Sequence, residues 1–398
     1  MQQHQVSRRT YTEQGQYPLL HDIGGGHPIE TQRQDPVDRN MDIILAQDTD
    51  ATRWDAYVCS KDHASPYHLY AWRQAIEEAY AQKGYYLIAQ DPKGEICGIL
   101  PMIHIKPPLV STQLCSLPYC DRGEALADSP EIIDMLVSRA LEIKEQIGAN
   151  RYDYRANADI NEPMDDETME PGQGAGGQTK VRMLLDLPES SEDLLASFKA
   201  KLRSQIRKAE KNGLTFEIGN DESLVSDFYR VFTNNMRDLG SPTHSRKWFD
   251  SIRHHYGDRC VISIIRHKDI AIGAGLVLLT DNTATIPWAS TLRRFNRLAP
   301  NMLLYWSLLA HATDNGCDIF DFGRSTIGEG TYRFKQQWAA RPVRLDWQTL
   351  PQHDQVSDTD SAINGKSSLR QTAENIWRKL PLPVTVTLGS TVRKYISL

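Results

Sequence analysis

A chain that carries the same landmarks twice, in the same order and at one constant offset, has to build the same scaffold twice. Ser65-Pro66, His68 and Trp72 recur as Ser241-Pro242, His244 and Trp248. Each tryptophan lies in a helical pattern. Two runs with strand character follow it, Tyr85 to Gln90 and Ile96 to Ile105 in the first half, Cys260 to Arg266 and Ile270 to Leu279 in the second. An apolar-periodic helix comes next, Pro130 to Ile147 or Pro300 to Asn315. It stops at Gly148 or Gly316, where glycine tolerates the left-handed backbone that ends a helix. An aromatic-Asp-aromatic strand closes each unit: Tyr152-Asp153-Tyr154 and Phe320-Asp321-Phe322. Shared order and spacing point to an internal duplication. Successive antiparallel strands followed by a helical crossover predict an α/β (α+β) fold, with mixed sheets flanked by helices.

Five segments follow from composition. Residues 1–40 are rich in Gln, Gly, His and Pro and read as a disordered leader. Residues 41–156 form the first unit. Residues 157–178, with Gly172, Gly174, Gly176 and Gly177, read as a linker. Residues 179–350 form the second unit, and 351–398 a polar linker with an amphipathic tail. In the tail, Leu369, Ala373, Ile376, Trp377 and Leu380 fall at helical spacing beside Arg370, Arg378 and Lys379. Pro381 and Pro383 stop that pattern, after which Val384, Val386 and Leu388 alternate. Such a tail docks on the domains or touches a membrane surface.

The net charge of −6 argues against a basic nucleic-acid binder. The six cysteines are scattered, as reduced cytoplasmic thiols are. No His-Glu-x-x-His helix occurs, and the adjacent His254 and His255 would point in two directions on a helix, so no metal site is expected. No run is long and apolar enough for a membrane span or a secretory signal, which predicts a cytoplasmic protein.

The second half holds four distinctive runs: LRSQIRKAEKNGL (202–214), FYRVFTNNMRDLGSPTH (228–244), FDFGRST (320–326) and GTYRFKQQW (330–338). Together they resemble the Fem family of peptidoglycan-bridge aminoacyltransferases, and more closely the Fem-like proteins that accompany exosortase systems for extracellular polysaccharide. The resemblance covers about residues 41–350. It implies two tandem GNAT-like acyltransferase domains and transfer of an acyl or aminoacyl group to an amine. The acceptor would be a cell-envelope or exopolysaccharide precursor met in the cytoplasm or at the inner face of the membrane. The donor would be acyl-CoA or aminoacyl-tRNA, a co-substrate and not a tightly bound cofactor. The long helical-hairpin arm common in the tRNA-using members has no counterpart after Lys199–Asn212. From another class, a non-catalytic protein holding a nucleotide-sugar or lipid-linked precursor uses the same cleft.

The resemblance also picks out residues. Its Phe-Lys pair matches Phe334-Lys335, next to Tyr332, which makes Lys335 the candidate to stabilise the oxyanion of an acyl transfer. Asp321 would accept the amine's proton or orient Arg324. Leu195 to Lys211 reads as one amphipathic helix whose Arg203, Arg207 and Lys208 belong to a basic stripe suited to phosphates. Arg237 and Asp238 fall where family members place an Arg-Asp pair near the acceptor, and His244, in the same run, is a further candidate for substrate binding. Trp288, Ser290 and Asn301 flank the start of the helix at Pro300, where a helix N-terminus favours an anion.

Overall fold

The computed structural model describes residues 41–62, 64–108, 110–157, 179–350 and 371–397. The expected leader, the linker beyond Asn157 and the polar segment after Leu350 lie outside the described residues. The first half runs β1 (Asp42–Leu45), α1 (Ala51–Cys59), α2 (Tyr70–Tyr80), β2 (Lys83–Gly84), β3 (Leu87–Gln90), β4 (Ile96–Leu100), β5 (Ile103–Ile105), β6 (Gln113–Cys115), β7 (Leu126–Ala127), α3 (Pro130–Gln146) and β8 (Arg151–Asn157). The second runs β9 (Lys180–Asp186), α4 (Ser191–Ser197), α5 (Ala200–Lys211), β10 (Leu214–Gly219), α6 (Glu222–Leu239), α7 (Arg246–Tyr256), β11 (Cys260–His267), β12 (Ile270–Leu279), β13 (Thr283–Thr291), α8 (Pro300–Asp314), β14 (Ile319–Thr326), α9 (Gly330–Gln336) and β15 (Arg341–Leu350). A tail helix spans Leu382–Arg393.

The strands form an 11-stranded sheet, β10-β11-β12-β13-β14-β9-β15-β8-β6-β5-β2, and a 4-stranded sheet, β1-β3-β4-β7. Both halves use the same order. An edge strand pairs with an antiparallel hairpin, and a helical crossover then lays a final strand, β8 or β14, parallel to β6 or β13, with the short β7 intervening before the helix in the first half. In the first half the hairpin is broken, so β3 and β4 join the small sheet while β2 and β5 stay in the large one. Pro101, between β4 and β5, has no N–H to give a ladder, which accounts for one of the two breaks.

The parallel pairs match residue for residue. Gln113, Leu114 and Cys115 of β6 face Arg151, Tyr152 and Asp153 of β8. Thr283, Ala284 and Thr285 of β13 face Ile319, Phe320 and Asp321 of β14. Each ladder ends at the aspartate, so Asp153 and Asp321 are structural equivalents.

Beyond those strands the halves trade pieces. β9, which follows the first half, pairs antiparallel with β14 of the second. β15, which follows the second, pairs antiparallel with β8 of the first. The two exchanged strands also pair with each other, Arg341 to Arg344 against Leu184 to Val181, and so fuse both halves into one sheet.

Among the described residues, three apolar clusters fill the layers between sheet and helices. One joins α1, α2, α6 and α7 across the two halves around the fully buried Trp54, Trp72, Phe228, Trp248 and Phe249. The second lies under α4, α5, α8 and α9, around Trp338 and Phe320. The third lies under α3.

Two local expectations are corrected. The helix expected from Leu195 to Lys211 is two helices, because Phe198 and Lys199 adopt extended backbone with ψ of 148° and 144°. The turn lets Leu194 and Phe198 pack on the core separately from Leu202, Ile206 and Ala209. The alternating Val384, Val386 and Leu388 lie in a helix, which Pro381 and Pro383 initiate rather than prevent. The tail docks on the domains. Gly389 sits so close that an added Cβ would lie 2.7 Å from the Thr243 backbone nitrogen, and Thr385 is buried beside it.

Candidate active site

A site in the second half arises where its parallel strands part. β13 and β14 pair only as far as Thr285 and Asp321. β13 continues against β12 to Thr291. β14 bulges between Asp321 and Arg324 while its other edge stays paired with β9 from Ile319 to Thr326. Gly323 takes a φ of +71° at the bulge, a left-handed conformation that a side chain would strain. Along residues 286–291 the backbone groups that do not pair with β12 therefore face an opening between the strands, with Pro287 supplying a carbonyl but no N–H.

Charged side chains converge on the base of this fork. Asp321 is buried. Its Oδ2 accepts two hydrogen bonds from Arg182, from Nε at 3.0 Å and Nη2 at 2.8 Å. Its Oδ1 accepts the Gly323 N–H at 2.8 Å, which fixes the bulge. Lys335, on α9, donates from Nζ to the carbonyls of Gly323 at 3.0 Å and Arg324 at 2.8 Å. An ammonium has three donors, so two carbonyls leave one N–H for a third partner. Burial lowers the Lys335 pKa to about 8, against the raising influence of Asp321 and Asp121, while Arg324 adds to the lowering.

The first half reaches into the same fork. Asp121 Oδ2 accepts the Arg324 backbone N–H at 3.1 Å, and Asp121 Oδ1 lies 3.6 Å from Arg324 Nε. Trp347, on the exchanged β15, donates from Nε1 to the Asp121 carbonyl at 3.1 Å, with the Arg324 guanidinium 5.0 Å from its ring. Next to Arg182 lies a second buried pair, Arg122 Nε to Glu124 Oε1 at 2.7 Å. Burial would raise the Glu124 pKa, but Arg122 and His68 overcome it and hold the carboxyl at about 2. His68 Nε2 meets the Glu124 carbonyl at 3.0 Å and Nδ1 accepts the Ser65 N–H, partners that select the neutral Nε2–H tautomer. Burial lowers the His68 pKa to about 4.

The equivalent fork of the first half is closed. Two residues beyond Asp153, where the second half has Gly323, stands Arg155. Its buried guanidinium donates to the carbonyls of Leu117 at 2.8 Å, Cys120 at 2.7 Å and Ser397 at 3.0 Å. The tail adds a hydrogen bond from Tyr119 N to the Ser397 carbonyl at 2.7 Å. In the second half the same position is a glycine, where an added Cβ would lie 3.6 Å from Asp121 Oδ2 and 3.6 Å from the Ile286 carbonyl.

Of the residues expected from sequence, Lys335, Asp321 and Arg324 meet at the fork. Phe334 lies beside it and packs edge to face on Tyr305, and Tyr332 is buried in the adjoining core. Trp288 and Ser290 lie on the parted stretch of β13, where Ser290 Oγ accepts from Asn235 at 3.2 Å. His244 is buried in an aromatic cluster with Trp248 and Trp288. Its Nδ1 lies 2.5 Å from the Tyr80 hydroxyl, and burial holds its pKa well below the usual imidazole value. Arg237 and Asp238 pair with each other at 3.0 Å at the end of α6. Asn301 is exposed on the first turn of α8. Arg203 donates to the Ala196 carbonyl, and Arg207 and Lys208 are exposed on α5. Among the described residues no hydrogen bond or ion pair joins that basic stripe to the fork.

Sequence reasoning passed over Arg182, Trp347 and Arg155. A signal existed for the first: an arginine inside the apolar run Val181 to Leu185 has to find a buried carboxylate. Trp347 had none, since its contact depends on the strand exchange.

Residues 196–336 match the family model described as the acetyltransferase (GNAT) domain. No curated protein sequence matches the chain. Among solved structures, the crystal structure of FemX superposes with a TM-score of 0.59 at 14% identity, covering 76% of this chain and 95% of that one. A conserved protein of unknown function from Bacteroides thetaiotaomicron superposes with a TM-score of 0.50 at 8% identity, covering 77% and 98%. At these identities the likeness speaks for the fold, a mixed α/β fold of the GNAT type. Among the described residues no helix is long and apolar enough to cross a membrane.

Proposed function

We propose that the second half is an N-acyltransferase that forms an amide at the fork between β13 and β14. The observation that carries this reading is the contrast between Gly323 and Arg155. The equivalent positions hold a buried arginine bonded to three carbonyls in one half and a glycine without a side chain beside Lys335 in the other, which favours the second fork for a substrate carbonyl. The match of residues 196–336 to the acetyltransferase domain supports the reaction class.

In the reaction the amine lone pair attacks the acyl carbonyl and the C–S or C–O bond to the carrier breaks. The amine gives up a proton and the carrier leaves with its electron pair. Negative charge on the carbonyl oxygen would be met by those backbone N–H groups of β13 beyond Pro287 that do not pair with β12, and by the third N–H of Lys335. Asp321 is held by Arg182 and Gly323 on both oxygens, so its part is to position the bulge. Asp121 lies at the mouth with its carboxylate 20% exposed, and is the better placed acceptor for the amine's proton.

The motif resemblance supports an acceptor amine on a cell-envelope or exopolysaccharide precursor, in a system of the exosortase-associated kind. Acyl-CoA and aminoacyl-tRNA are the donors to compare. The test is to incubate the purified protein with each donor and a panel of amino sugars and peptidoglycan-type peptides, following amide formation by mass spectrometry. Amide product that disappears in Lys335→Ala, with the fold preserved by circular dichroism, is the expected result. Product at an undiminished rate in Lys335→Ala would overturn the site. Absence of product with every pair, together with tight retention of a precursor, would favour the binding-protein reading.

A further inference from the structure

A second site lies in the first half, on the edge of the large sheet. β2 and β5 pair so that Lys83 stands opposite His104. Lys106 lies two residues beyond His104, and side chains two apart share a face. Register alone therefore lines up two cations and an imidazole on one face of the edge hairpin. The tail closes over them. Gln82 Nε2 reaches the Lys394 carbonyl at 3.5 Å, Gln82 Oε1 accepts the Lys106 N–H at 3.2 Å, and Lys394 and Tyr395 form the opposite wall. The half-open cavity has a volume of about 300 Å³.

Two features of this cavity call for a ligand. His104 is 1% exposed, yet neither ring nitrogen has a hydrogen-bond partner. A buried polar atom left unpaired costs about 1–3 kcal/mol, so it marks a place where something else supplies the partner. The charges around it are also unbalanced. Lys83, Lys106 and Lys394 line the cavity, and none of them has an ion-pair partner among the described residues. Two of the ammonium groups rest near aromatic rings, Lys83 at 4.9 Å from Tyr85 and Lys394 at 4.9 Å from Tyr395. Burial, with Lys106 and Lys83 nearby, lowers the His104 pKa to about 4, so its neutral ring offers one donor and one acceptor.

We propose that this cavity binds a phosphate group, with His104 at its floor and Lys83, Lys106 and Lys394 around it. Separate point charges on flexible stems suit the oxygens of a phosphate, which they can approach from several sides. A planar carboxylate would better match an arginine fork. The phosphate has two possible sources, a soluble ester or a lipid headgroup. The second is relevant because the adjoining tail helix exposes Val384, Leu388 and Val392 on successive turns, with Ile396 beyond them.

The experiment follows the imidazole signals of the full chain by NMR, with the His104→Gln variant identifying the His104 resonance. One arm titrates inorganic phosphate and glycerol 3-phosphate. The other measures co-sedimentation with vesicles of phosphatidylcholine alone and of equal parts phosphatidylcholine and phosphatidylglycerol. The Lys83→Met/Lys106→Met double variant, altered only at exposed side chains, runs through both arms. A saturable His104 shift with the soluble esters, weakened at least tenfold in the double variant, is the expected result for a soluble ligand. Sedimentation with the anionic vesicles alone, lost in the double variant, identifies a headgroup. No response in either arm, or an equal response from the double variant, overturns the site.

Discussion

Trp72 and Trp248, equivalent residues of the two halves, meet edge to face with ring centroids 5.1 Å apart and planes at 79°. Where a residue touches its own counterpart, the pseudo-twofold axis of the duplication runs between them. Both rings are fully buried, and α2 packs along α7 at this point. Replacing either tryptophan by alanine is expected to cost about 3–5 kcal/mol. The double variant should lose less than the two single losses combined, because the rings share a contact. Denaturant unfolding of the three variants measures this, and strict additivity would show that the rings do not couple.

The buried pair of Arg182 and Asp321 should be far more sensitive to losing one member than both. Arg182→Met leaves a carboxylate with one backbone partner in the core, and is expected to cost about 3–5 kcal/mol. Arg182→Met combined with Asp321→Leu should regain much of that stability while still lacking activity, since the bulge at Gly323 loses its anchor. Thermal melts and the amide-forming assay together check both parts.

The depressed pKa of Lys335 gives an alkaline limit to activity. If the ammonium meets the oxyanion, kcat/KM should fall as pH rises through about 8. A lysine whose folded pKa lies below its unfolded value near 10.4 binds fewer protons when folded over that interval, so stability rises with pH across it. Wild type should therefore gain up to about 3 kcal/mol relative to Lys335→Met between pH 8 and 10.5. A flat rate profile across pH 8 would count against the role assigned to this ammonium.

Glu124 should show the opposite dependence. Its folded pKa of about 2 lies below the ordinary carboxylate value of 4.5. The stability it supplies is fully present above pH 4.5 and is lost as pH falls through 2. Relative to Glu124→Gln, wild type should be favoured by about 3 kcal/mol at neutral pH, and the two should converge in acid. Acid-titrated unfolding followed by tryptophan fluorescence reads this difference.

The features legible in the sequence were those whose cause is local. The Ser-Pro entries, the glycine stops after Gln146 and Asp314, and the aromatic-Asp-aromatic strands are set by neighbouring residues, so their repetition revealed the duplication. Lys335 and Asp321 were found through motifs, and the structure brings both to one fork. Their partners were hidden, because Arg182 and Asp121 reach them from distant segments through strand pairing and loop packing. The tail misled because Val384, Val386 and Leu388 alternate by chance within a helix whose burial falls on Thr385 and Gly389.

The strand exchange sets a timetable for synthesis. β8 ends at Asn157, but its native neighbour β15 begins only at Arg341. At typical elongation rates the first half waits roughly 10–40 s for that strand. β9 leaves the ribosome long before, and at Lys180–Asp186 it is the next strand available to β8. A nascent chain that pairs them must release β9 again when β15 arrives to lie between them. Ribosome-bound chains stalled before and after Arg341 would then differ sharply in protease resistance within residues 41–157, although not one residue of that region has changed.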